Sequence, residues 1–111
     1  MMLNEERDII LNALHYHFGK HRISYDRLRD YLMNNTAIEH RRIDTVTEDL
    51  VSQGYIGKVM DNQFHDFEIS PQGESILEEF GGFVGKKRKE NQPPSPSVQI
   101  ITGGGNIVGS Q

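Results

Sequence analysis

Between residues 43 and 77 the spacing of apolar side chains changes twice, and that order is the strongest constraint in the chain. Ile43, Val46 and Leu50 recur at three and four residues, as on one face of a helix, and Gly54 follows where a left-handed residue closes such a helix. The period then drops to near two. Ile56, Val59 and Met60 form one run and Phe64, Phe67 and Ile69 the other, with turn-forming Asp61, Asn62 and Gln63 between them. Ser70 and Pro71 open a further helix, the serine as its cap and the proline at the first position, where a missing donor costs nothing. Ile76, Leu77 and Phe80 give that helix a face to bury.

Upstream, Ile10, Ala13, Leu14 and Phe18 predict a first helix from Asn4 to about Phe18, ended by Gly19. Arg22 and Ile23 suffice for a very short strand. Ser24 is a good N-cap for a second helix from Tyr25 to about Met33; Ile23 and Leu28 have the spacing of a hydrophobic staple, and Leu28 and Leu32 form its apolar stripe. Asn34 and Asn35 supply the turn that follows. Thr36 and Glu39 have capping-box spacing, so the third helix is expected to start from Thr36, hydroxyl and carboxylate each satisfying a free backbone donor.

A chain of 111 residues builds one modest core and no second full domain. It has no cysteine, which removes disulfides, thiolate nucleophiles and cysteine-based zinc sites and agrees with a reducing compartment. No basic leader precedes an apolar core, and no apolar run approaches the roughly 20 residues that span a bilayer. A soluble, cytoplasmic protein without membrane partners is expected. The net charge of -4 is unevenly spread. Residues 1 to 80 hold eight Lys or Arg against fifteen Asp or Glu, a balance of -7, while residues 81 to 111 hold four against one, a balance of +3. An acidic domain is repelled by phosphate, so any nucleic-acid binding has to rest on local basic patches, on the tail or on a partner's charge.

Gly81 and Gly82 are expected to end the compact domain. Lys86, Lys87, Arg88 and Lys89 then read as a phosphate clamp, a nuclear signal in a eukaryotic host or a solubilising linker. Pro93, Pro94 and Pro96 favour an extended, solvated backbone. Residues 98 to 102 and 106 to 108 have the pattern of two short strands about Gly103, Gly104 and Gly105. So small a hairpin is not stable alone in water, and it is expected to dock, to pair with another chain or to stay disordered.

Nothing in the chain points to catalysis. Ser, His and Asp occur without a nucleophile-elbow pattern or a run of metal ligands. His15 and His17 are two apart on a helix and point roughly 200° from each other, and Gly19 interrupts the pairing of His17 with His21. The triple glycine has neither a following Lys-Ser/Thr nor a helix start, so it is a turn rather than a phosphate loop. No enzyme, metal site or cofactor is expected. Tyr16, Tyr25, Tyr31 and Tyr55 are expected to pack in and around the core.

Helix, short strand, helix, helix, hairpin and helix, in that order over roughly residues 5 to 80, resemble the winged-helix family of bacterial and archaeal transcription regulators, including its MarR-like branch. Leu50 with Gly54, Tyr55 and Ile56 looks like that family's exit from the recognition helix. Phe67-Glu68-Ile69-Ser70-Pro71-Gln72-Gly73 with Leu77 is similar to its "hydrophobic-x-hydrophobic-Thr-Pro-x-Gly-x-x-x-Leu" exit from the wing. The fold this implies is mainly α with a small β-hairpin. It is a winged helix-turn-helix over residues 1 to 82, followed by a basic, Pro-rich linker (83 to 97) and a short C-terminal β segment (98 to 111).

The resemblance implies a DNA-binding transcriptional regulator, its third helix in the major groove and its wing on the backbone. His40, Arg41, Arg42 and Thr45 stand at the positions that would read bases or grip phosphate, and Lys58, Asn62 and Gln63 on the wing. Lys86, Lys87, Arg88 and Lys89 join them as phosphate contacts. Asp44, Glu48 and Asp49 oppose phosphate from the same helix, and Asp61 and Asp66 do so from the wing. The same fold also serves as a protein-docking module. The alternative reading is therefore a non-catalytic interaction module, assembled as a homo-oligomer or on a protein partner through residues 98 to 111.

Overall fold

A computed structural model describes residues 1 to 61 and 64 to 91; Asn62 and Gln63, expected as wing contacts, the Pro-rich stretch and the expected β tail lie outside the described residues. The chain is mainly helical, with a small three-stranded antiparallel sheet. Its elements in order are α1 (Leu3–Asn12), a π-helical turn (Ala13–His17), β1 (Ile23–Ser24), α2 (Tyr25–Asn35), α3 (His40–Ser52), β2 (Ile56–Asp61), β3 (Phe64–Ile69), α4 (Pro71–Phe80) and α5 (Phe83–Glu90).

The first helix is not uniform. Phe18 N–H donates to the Ala13 carbonyl at 2.9 Å, five residues back, so the last turn is wider than an α-helical one. A wider turn brings successive side chains closer in angle, and three in a row, Ala13, Leu14 and His15, are buried together. His15 lies against Tyr16, edge to face, rather than toward His17.

Ser24 caps α2 by accepting from Arg27 N–H, with Leu28 and Leu32 buried beneath it. The helix runs on through Asn34 and Asn35, whose amides donate back to the Asp30 and Tyr31 carbonyls, so they finish the helix rather than form the turn. The cap expected at Thr36 is corrected. Its hydroxyl donates to the Leu32 carbonyl at 2.7 Å and closes α2, while α3 starts at His40, with Glu39 at the cap position making no side-chain cap hydrogen bond. Ile38, buried in the short connection, anchors the turn between the two helices.

The core lies between the helices and one face of the sheet. Ile10, Leu14, Leu28, Leu32, Ile43, Val46, Leu50 and Phe67 are all sealed in it. Each such side chain contributes about 1.5–3 kcal/mol relative to exposure. The sheet order is β1-β3-β2, so β3 is central and Phe67 pairs with Ile23 on one side and Lys58 on the other. β2 faces the core more sparingly than its sequence suggests, with Ile56 buried but Met60 61 % exposed.

Two sequence motifs meet in one joint. Gly54, with φ +86°, turns the chain out of α3, and its carbonyl accepts from the Ser70 hydroxyl at 2.6 Å. The same Ser70 Oγ accepts from Gly73 N–H and caps α4. Ser70 N–H donates to the Tyr55 carbonyl, and Gly73 packs so closely on that carbonyl that a β-carbon there has no space. The exit from α3 and the entry to α4 thus hold each other.

Residues 83 to 90, expected as the start of a linker, instead form α5, which packs on α1 and α4. Its first amides, from Phe83 and Val84, donate to the Asp8 carboxylate at 2.6 and 3.1 Å. A residue of α1 therefore caps a helix 75 positions away. Apolar spacing gives no sign of it, because α5 buries no residue. No helix among the described residues is long and apolar enough to cross a membrane.

Candidate nucleic-acid interface

Helix α3 turns Ile43, Val46, Thr47 and Leu50 inward, which leaves Arg41, Asp44, Thr45 and Glu48 on one outward stripe with His40 at its start. Arg41 is the most exposed cation there, its side chain 81 % accessible and 3.6 Å from the Glu39 carboxylate. So exposed a pair holds its arginine loosely, which leaves the guanidinium free to exchange partners.

Arg42 lies elsewhere. Its guanidinium reaches back to α1 and donates three hydrogen bonds to the Glu6 carboxylate, at 2.9 to 3.3 Å. The Glu6 side chain is 4 % exposed and that of Arg42 35 %. These hydrogen bonds, and then the charge of Glu6, raise the Arg42 pKa above its ordinary value. A buried carboxylate needs such a partner, so Arg42 is spent on holding α1 to α3. Sequence reasoning missed Glu6, since a glutamate on a polar helix carries no sign of burial.

A second pair ties the same two helices. Arg7 Nε donates to Asp49 Oδ2 at 2.8 Å, and the guanidinium also lies 5.0 Å above the Phe83 ring of α5. Burial raises the Asp49 pKa, but the hydrogen bonds from Arg7 and Gln53 outweigh it and the net shift is downward. Asp49 therefore faces α1 rather than the outward stripe. At Asp8 the balance falls the other way, because burial raises its pKa by more than the amides of Phe83 and Val84 lower it.

On the hairpin, Lys58 crosses to α3 and donates to Glu48 Oε2 at 3.2 Å. The pair neutralises one acidic group of the outward stripe and fixes β2 beside α3. His65, across from Met60 in the register, is exposed. On α5, Lys87, Arg88 and Lys89 are exposed; Lys89 lies 5.5 Å from the Phe80 ring and Lys86 4.0 Å from Glu90. The cations expected to act together thus stand on separate elements: His40 and Arg41 on α3, Lys58 on β2 and the basic cluster on α5.

Among the described residues no three His, Asp or Glu side chains converge as a metal site requires. Three of the tyrosines pack against the core, Tyr25 edge to face with Phe67 and Tyr55 with Phe83, while Tyr31 stacks on His17. Tyr16 departs from the expectation and is 65 % exposed. Comparisons with protein-family models, curated proteins and solved structures found no match.

Proposed function

We propose that this chain is a winged helix-turn-helix protein that binds DNA, with α3 in the major groove and the β2–β3 hairpin as a wing on the backbone. The observation that carries this reading is the arrangement of α2, α3 and the hairpin. Two helices joined by a short turn lead straight into the β2–β3 hairpin, which β1 extends on the β3 side, and the outward stripe of α3 bears His40, Arg41 and Thr45. His40, Arg41 and Thr45 read bases or grip phosphate, Lys58 supports the wing, and Lys87, Arg88 and Lys89 add phosphate contacts from α5. Arg42 acts through Glu6, as the residue that sets the angle of α3.

The test is a salt titration of the full chain against mixed double-stranded genomic fragments. Each phosphate contact contributes about 0.9 to the slope of log affinity against log salt. Replacing Lys87 and Arg88 together by alanine is expected to flatten that slope by nearly two. An affinity that is undetectable at low salt, or a slope that the double variant leaves unchanged, would overturn the assignment.

A second reading has its own support. Asp44 and Glu48 share the outward stripe with Arg41, and residues 1 to 80 carry a balance of -7, which suits a basic protein partner better than a phosphate backbone. Under that reading the module docks a protein and does not bind DNA in the titration.

A further inference from the structure

Phe83, the first residue of α5, reaches the last turn of α3 by two separate routes. Its ring lies 5.0 Å from the Arg7 guanidinium, whose Nε donates to Asp49 Oδ2 at 2.8 Å. Asp49 also accepts from the Gln53 side-chain amide at 2.7 Å, so the Arg7 contact extends to the residue that caps the end of α3. On another side the same ring meets Tyr55 edge to face, with 4.7 Å between ring centres and 73° between planes. Tyr55 N–H donates to the Leu50 carbonyl at 2.9 Å and closes α3 one residue before β2 begins.

α5 has two states and little between them. A helix of eight residues is marginal alone in water, because nucleation costs more than so few hydrogen bonds return. Off the domain it unfolds. On the domain it is held at defined points: the Asp8 carboxylate accepts from the Phe83 and Val84 amides, and Gly85 packs so closely on the Phe80 carbonyl that a β-carbon there has no space. No residue of α5 is buried, so it can open while α4 and the core stay folded.

We propose that α5 is a latch on the exit from α3. Seated, its Phe83 ring keeps Arg7 over Asp49 and Tyr55 against the turn; released, it frees both, and the joint between α3 and the hairpin loosens. The Arg7 and Asp49 side chains are only 15 % and 27 % exposed while α5 is in place. Taking the ring away opens that pair to water, where an ion pair contributes little. Tyr55 loses its aromatic partner in the same event. Both losses fall on residues 49 to 55, because the body of α3 is held by Ile43, Val46 and Leu50 in the core. Coupling of this kind is reciprocal, so whatever steadies residues 49 to 55 also seats α5. Under the DNA reading above, phosphate contacts from Lys87, Arg88 and Lys89 and base contacts from α3 therefore reinforce each other. The latch itself stands without that reading.

Hydrogen exchange on the full chain, with no DNA present, tests it. Asp8→Ala and Gly85→Ala loosen α5 from different sides and leave Arg7, Asp49, Tyr55 and Phe83 in place. Asp8→Ala is expected to quicken exchange at Lys86 and Lys87 about fivefold, as loss of a helix cap does, and Gly85→Ala at least as much. In both variants Gln53, Gly54 and Tyr55 are expected to quicken by a similar factor while Leu50 and Leu77 hold. Gln53 and Tyr55 amides that keep the parent's rate while Lys86 and Lys87 quicken would overturn the coupling. Lys86 and Lys87 amides that neither variant quickens would overturn the latch. So would acceleration that reaches Leu77, because α5 would then open only together with the core. None of these outcomes depends on DNA affinity, so the latch and the DNA reading stand or fall separately.

Discussion

The last two described helices follow one another directly and are attached by opposite means. α4 buries Gly73, Ile76 and Leu77, takes its cap from the adjacent Ser70 and ends at Gly81 in the left-handed conformation. α5 buries nothing. It is held by the Asp8 carboxylate on its first amides, by Arg7 above the Phe83 ring and by Tyr55 against the same ring's edge. Apolar burial adds up at roughly 25 cal/mol per Å², whereas a hydrogen bond contributes about 0.5–1.5 kcal/mol net. α4 is thereby part of the cooperative core, and α5 belongs to the class of elements that open locally while the rest stays folded.

The largest effect is expected where α4 meets α3. A β-carbon at Gly73 falls on the Tyr55 carbonyl and within 2.8 Å of Ile69 Cγ1, with backbone on one side and a buried side chain on the other. Gly73→Ala is expected to destabilise the whole domain by about 3 kcal/mol, as overpacking in a tight joint does. Thermal unfolding measures it. A melting temperature within two or three degrees of the parent would mean that α4 is held no more firmly than α5, and the comparison would fail.

Next comes the tie between α1 and α3. Arg42→Ala leaves the Glu6 carboxylate buried without a partner, so its effect on thermal stability is expected to exceed that of any single change in α5. Replacing Glu6 and Arg42 together by methionine is expected to recover most of the loss, since an apolar pair needs no compensation. A double variant as unstable as Arg42→Ala would show that the charges themselves, and not the uncompensated burial, hold the helices.

For α5 the effect is expected to be smaller and local. Asp8→Ala removes the acceptor for two amides, a loss of about 1 kcal/mol by analogy with other helix caps. Hydrogen exchange at Lys86 and Lys87 is expected to quicken while exchange at Leu50 and Leu77 holds. pH separates the two aspartates that tie α1 to its neighbours. The pKa of Asp49 is lowered from 3.8, so its contribution is full above that value and is lost as pH falls through the folded-state pKa. Asp8 is raised from 3.8 by burial, so the part of its contribution that depends on pH is present below that value and is lost as pH rises through the folded-state pKa, while its hydrogen bonds to the first amides of α5 remain. Asp49→Asn is therefore expected to flatten the acid limb of a urea stability curve, and Asp8→Asn to steepen it.

The same contrast explains what could be read from the residues alone. The joint of α3, hairpin and α4 was legible because each of its devices leaves a mark: a period of 3.6 or two, Gly54 at a left-handed position, Ser70 and Pro71 at a helix start. Which of Ile56, Val59 and Met60 is covered was not legible, because a run of apolar residues does not say which face of a strand packs; Ile56 is buried and Met60 is exposed. Thr36 was misassigned because its hydroxyl had two helix ends to serve and took the earlier one. α5 and the Glu6–Arg42 pair were not legible at all, since each depends on a polar contact between residues 36 to 76 positions apart, for which sequence spacing carries no signal. Of the proposed DNA contacts, Arg41 and Arg42 look alike in sequence. Only the partner on α1 tells them apart.

That difference gives the smallest effect on stability and the sharpest on function. Arg41 is 81 % exposed and its nearest carboxylate is 3.6 Å away, so Arg41→Ala is expected to change stability by less than about 0.5 kcal/mol. If α3 reads DNA, the same change removes a cation from the centre of the contact. Affinity for genomic fragments is then expected to fall severalfold or more, with the salt slope reduced by about 0.9. Arg42→Ala has the reverse signature, a clear loss of stability and, at temperatures where the variant is folded, little change in salt slope. Because Arg42 already spends its charge on Glu6, equal losses of slope for the two arginines would mean that the Glu6 pair opens on DNA and that both side chains reach phosphate.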